Sequence, residues 1–156
     1  GLSFGGGLGD GPLDQKDAIE RLRKDYERAY FISGEVDADL YEEDCLFADP
    51  FASFRGRDRF VNNLSNLGLF VSNSDCRLLS FEEIDGSPLT VKTRVLVKLE
   101  LNLPWKPVLA WPWGVEHVYG EGGRIAEHIE SWEIGALEGV KQVFRKGPPG
   151  GLRSGS

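Results

Sequence analysis

Two short stretches hold the residues best suited to chemistry. In "CLFADPF", Cys45 to Phe51, a single carboxylate, Asp49, interrupts an apolar run. An apolar surround raises a carboxylate's pKa, so an acid placed there suits general-base work. Asp-Pro is equally a turn dipeptide, in which the side chain bonds the amides that follow it. In "RIAEHIESWEI", His128 and Glu130 stand two residues apart. In a strand that spacing puts both on one face, close enough for the carboxylate to orient the imidazole. Ala126, His128, Glu130 and Trp132 share one parity, and Ile125, Glu127, Ile129 and Ser131 the other. Neither set is cleanly apolar, so the pair faces either an interior pocket or solvent.

The surrounding elements decide where such residues can sit. Asp14 suits a helix N-cap, with Asp17 near the positive end of the helix dipole. Ile19, Leu22, Tyr26, Ala29 and Tyr30 then recur at helical spacing. "SGE" ends this helix, and a short second one carries Val36, Leu40 and Tyr41. A third helix puts Phe60, Leu64, Leu67 and Val71 on one face. Strand patterns follow in "CRLLSFEEI", "LTVKTRVLVKLEL", "GVEHVY" and "RIAEHIESWEI", the second alternating without a break. A short helix around Leu137, Val140 and Phe144 closes the pattern. Helices first and then a meander is an α+β arrangement: N-terminal helices packed in the concave face of a curved antiparallel sheet. Such a sheet leaves a concave mouth suited to a small-molecule pocket. The folded domain is expected over residues 13–146. Tails rich in Gly, Pro and Ser, residues 1–12 and 147–156, are expected to be disordered.

The order of these segments, and above all "LYEEDCLFADPFASFRGRDRF", resembles the nuclear-transport-factor-2-like superfamily, with its SnoaL-like and ketosteroid-isomerase-like members. The resemblance implies a cystatin-like cone. The half that reads "WKPVLAWPWGVEHVYG…RIAEHIESWEI" is similar to an uncharacterised plant, algal and cyanobacterial domain, in plants sometimes joined to a SOUL-type haem-binding domain. That implies a chloroplast location. Carried over from the isomerases, Asp49 matches the proton-shuttling base, Tyr26 the oxyanion donor, and Glu116 the second, protonated donor. Glu116 is one methylene longer than the family's aspartate. Placing it inward sends His117 to the opposite sheet face. Alternatives stand beside each assignment: Tyr26 as a core tyrosine, and Glu116 as an edge charge paired with a lysine. Phe47, Phe60 and Trp132 are the apolar side chains expected around the cavity.

"LPWKPVLAWPWG" packs three tryptophans, Trp105, Trp111 and Trp113, among three prolines. Prolines should break this strand into edge or bulged pieces, and the indoles suggest a contact surface for a second copy or a neighbouring domain.

Composition narrows the function classes. A net charge of −7 argues against nucleic acid or an anionic membrane as the main partner. Two cysteines, Cys45 and Cys76, are too few for a disulfide framework and read as reduced and buried. No phosphate-binding loop, metal-ligand cluster or activated nucleophile is evident, so no cofactor is expected. Three readings remain. One is an isomerase, cyclase or dehydratase acting on a small apolar or carbonyl-bearing molecule. Another is a non-catalytic binder of a lipid, pigment or tetrapyrrole. The last is an interaction domain whose cavity Phe47, Phe60 and Trp132 fill.

Overall fold

Asp14 starts α1 (Gln15–Glu27): its carboxylate accepts the Asp17 N–H, satisfying one of the free donors of the first turn. The structure, a computed structural model, describes residues 11–133 and 136–151. The apolar stripe of α1 is Ala18, Leu22 and Tyr26, all buried, with Asp25 unexpectedly buried beside them. The helix does not run on to Tyr30. Ala29 takes a left-handed conformation at φ 48°, and α2 (Tyr30–Ser33) follows as a separate turn. A left-handed alanine costs about 1–3 kcal/mol. The kink turns Tyr30 and Phe31 into the core, and burial of a side chain of that size returns about 1.5–3 kcal/mol each. Gly34, at φ 75°, ends α2 by returning its N–H to the Tyr30 carbonyl.

A 3₁₀ turn, Ala38–Leu40, leads into β1 (Tyr41–Ala48), where a helix was expected to continue. β2 (Ser53–Arg55), α3 (Arg57–Leu67), β3 (Val71–Ile84), β4 (Thr90–Leu101), β5 (Val108–Tyr119), β6 (Ile125–Trp132) and α4 (Ala136–Phe144) follow. The strands form one open sheet in the order β2-β1-β6-β5-β4-β3. β1 pairs parallel with β6 and every other pair is antiparallel, so the sheet is mixed rather than wholly antiparallel. The α+β architecture is as expected, with helices on the concave face of a curved sheet.

Alternation on β4 places Val91, Thr93, Val95, Val97 and Leu99 inward. β5 does likewise with Trp113, Val115, His117 and Tyr119. β6 contains a register shift opposite Val118 and Tyr119. This bulge turns both Ile125 and His128 inward, though they lie three residues apart. It also explains why neither parity of the β6 sequence is apolar throughout.

The prolines do not break β5. Pro112 pairs with Leu96 of β4, and its carbonyl accepts the Glu133 N–H just past the end of β6. Backbone N and C=O of one residue face the same side of a strand. The missing N–H of Pro112 therefore faces Glu133, at the frayed end of the β5–β6 ladder, so only the last, reciprocal bond of that ladder is forgone. At Ala110 the side-chain amide of Gln142, from α4, takes the place of a strand: it accepts the Ala110 N–H and donates to the Ala110 carbonyl.

Gly147 donates its N–H to the Trp105 carbonyl, so residues 147–151 run beside the loop before β5. The rest of the expected disordered tails, apart from residues 11 and 12, lies outside the described residues.

Candidate active site

Five elements converge on a pocket of about 250 Å³ at the concave face. β1 supplies Phe47 and Asp49 follows it; β2 supplies Phe54; α3 supplies Phe60, Asn63, Leu64 and Leu67; β5 supplies Trp113; β6 supplies His128, Glu130 and Trp132. The rings of Phe47 and Phe60 stack with centroids 4.0 Å apart, and Phe54 stacks on Phe47 at 5.4 Å. Phe47, Phe60 and Trp132 thus wall the pocket without filling it.

His128 and Glu130 are brought together on this wall. Imidazole Nε2 lies 3.2 Å from Glu130 Oε1, and the Trp132 indole Nε1 donates to Glu130 Oε2 at 3.4 Å. His128 is 1% exposed, packed against Tyr30, Tyr41, Phe47 and Phe60, while the Glu130 side chain keeps 16% of its surface open. The imidazole is therefore the support and the carboxylate the accessible end.

Asp49 stands at the rim as a turn residue. Its Oδ1 accepts the N–H groups of Phe51 at 2.7 Å and Ala52 at 2.9 Å. Those bonds hold the carboxylate to its own loop rather than to Tyr26, which does not line this pocket. Tyr26 belongs to a second, closed compartment: its hydroxyl lies 2.5 Å from Thr93 Oγ1 and 2.8 Å from His117 Nε2. Burial holds its phenol well above the usual range.

Glu116 is outside the cone, half-exposed, and paired with Lys92 across β4 at 3.2 Å. The expected inward placement of Glu116 and outward placement of His117 are reversed. His117 is fully buried, its ring centroid 5.1 Å from that of His128, its cross-strand partner. Burial, and then the neighbouring imidazole, hold the His117 pKa well below its ordinary value. The sequence carried a signal for this. Trp113, Val115, His117 and Tyr119 make the apolar parity of β5, and an aligned isomerase donor at Glu116 contradicts it.

The tryptophans separate. Trp113 is core, packed on Phe31 at 5.0 Å, so it cannot belong to a contact surface. Trp111 is half-buried against Trp132 at 5.8 Å. Trp105 is the exposed one, and its indole donates to the Val143 carbonyl of α4. Burial pushes the thiols of Cys45 and Cys76 up to about 12, so neither suits nucleophilic chemistry. Among the described residues no group of three or more His, Cys, Asp or Glu side chains is arranged to hold a metal ion.

The family described as "Uncharacterized conserved protein (DUF2358)" matches residues 16–128, well over half of the chain, and the chain belongs to that family. No curated protein matches it. Among solved structures it is similar to an LEH-like epoxide hydrolase of M. tuberculosis. The two are 14% identical with a TM-score of 0.60, over 86% of this chain and 94% of that one. It is also similar to SalBIII, an epoxide hydrolase/cyclase-like enzyme of pyran ring formation in polyether salinomycin, with 11% identity, a TM-score of 0.59 and coverage of 78% and 94%. A third is an NTF2-like protein of unknown function from Exiguobacterium sp. 255-15, with 12% identity, a TM-score of 0.54 and coverage of 78% and 96%. At these identities the likeness establishes the NTF2-like fold.

Proposed function

We propose that this member of the DUF2358 family binds a small, mostly apolar molecule in the aromatic pocket and moves a proton there with Glu130, held in place by His128. The observation that carries the reading is the 3.2 Å contact between His128 Nε2 and Glu130 Oε1 on the wall of a pocket otherwise made largely of rings. An ionised carboxylate only accepts, so Nε2 holds the imidazole proton and the buried Nδ1 is left as a lone pair. His128 thus orients the base, and the Trp132 N–H steadies its other oxygen. A carboxylate held this way can take a proton from water or from substrate, as epoxide opening and ring formation both require. The fold-mates named for those reactions support this class without specifying a substrate.

Pocket size favours the smaller of the ligands raised by the sequence. Drug-sized ligands occupy roughly 300–1,000 Å³. At about 250 Å³ the pocket suits a single-ring molecule better than a tetrapyrrole. One observation favours the second reading, a binder without catalysis: Asp49, the base that the isomerase resemblance implies, is committed to loop amides.

Styrene oxide, neutral and single-ringed, separates the two readings. The wild type should form phenylethanediol faster than buffer, by chromatography, and Glu130→Gln should slow it about 100-fold while the Trp132 indole NMR shift still saturates. Saturable binding with hydration at the buffer rate would leave only the binder. No saturable shift would remove the pocket reading itself.

A further inference from the structure

We propose that this pocket selects ligands carrying positive charge, permanent or developing in reaction, and rejects carboxylates; the inference rests on the pocket reading above. The titratable side chains that line it are carboxylates and the neutral imidazole that serves one. Glu130 Oε1 lies 3.2 Å from His128 Nε2, and no lysine or arginine lines the pocket among the described residues. Asp49 adds a second carboxylate at the rim. Five aromatic rings line it, with Phe47 stacked between Phe54 and Phe60, and an aromatic face left open in such a wall attracts cations through its quadrupole. One cation already uses this stack: the Arg59 guanidinium carbon lies 4.8 Å from the Phe54 ring centre.

Most donors near the pocket that could hold an anion are committed elsewhere. The Trp132 N–H points at Glu130, and the Tyr26 hydroxyl is in the closed compartment with Thr93 and His117. Asn63 and the buried, unpartnered indole N–H of Trp113 are the remaining donors among the lining side chains. A substrate that builds an enolate finds little to stabilise it here, whereas positive charge building toward the rings and Glu130 is favoured.

Three probes of nearly one shape but different charge test this: choline, 3,3-dimethylbutan-1-ol and 3,3-dimethylbutanoate. Binding is followed at the Trp113 and Trp132 indole resonances. Choline should bind about tenfold more tightly than the alcohol, and the carboxylate should cause no saturable shift. Glu130→Gln should remove most of the choline preference. Glu116→Gln makes the same change in net charge outside the cone and should leave the preference intact. Equal or tighter binding of the alcohol, binding of the carboxylate, or an equal loss in both variants would overturn charge selection while leaving the pocket in place. If no probe binds and styrene oxide is also ignored, the pocket reading itself fails, and the selection with it.

Discussion

Asp25 is wholly buried on α1, where its carboxylate meets the Arg28 guanidinium and the Asp37 N–H. Burial outweighs these partners and pushes its pKa up to about 7. The unfolded carboxyl titrates near about 3.9, so between about pH 4 and 7 the folded state holds a proton that the unfolded state has lost. Stability from this group is therefore present at low pH and is lost as pH rises through about 7, by up to about 1.4 kcal/mol per pH unit. His117 acts with the opposite sign: its lowered pKa withdraws stability as pH falls below about 6.5. Asp25→Asn lacks the first slope and keeps the second. The difference in urea midpoint stability, wild type minus variant, should fall from pH 4.5 to 7 and then level off. A difference that rises with pH would mean that the Arg28 pairing dominates over burial.

At the scale of elements, side-chain hydrogen bonds tie α4 to β5 and to the loop before it. Gln142 bonds both backbone groups of Ala110, and Trp105 donates to Val143. Each such bond is worth about 0.5–1.5 kcal/mol net. Gln142→Ala should lower stability by about 1–2 kcal/mol and speed hydrogen exchange at the Ala110 amide, with Val97 and Val115 unaffected. Exchange unchanged at Ala110 would show that the edge of β5 is held by something other than this amide. These ties also mark the limits of the sequence. Period-2 alternation made β4 legible, and the N-cap at Asp14 was local enough to read. The β6 bulge, the left-handed Ala29 and the parallel partner of β1 were not, because each is set by packing against distant elements. Of the candidate site, the His128–Glu130 pair is legible from spacing alone. Trp113 was obscured by its prolines: Pro104 and Pro107 lie before β5, and Pro112 sits at the frayed end of the β5–β6 ladder, where it forgoes only one bond. Glu116 was misplaced because alignment was preferred over the parity that points His117 inward.

The whole molecule is assembled around one long-range junction. Phe47 on β1 and His128 on β6 are register partners, and the chain between them supplies α3 and the β3–β4–β5 meander. Loop-closure entropy makes such a pairing late and local hairpins early. In pulsed-exchange refolding, amides of β4 and β5 should gain protection before those of β1 and β6; simultaneous protection would show that the junction forms with the meander. The consequence concerns timing during synthesis. A growing chain can pair its meander while Glu130 is still to be made, and the stack of Phe47 and Phe60 then waits uncovered. The aromatic wall of the pocket is, for that interval, a sticky surface, and its first guest is the chain's own last strand.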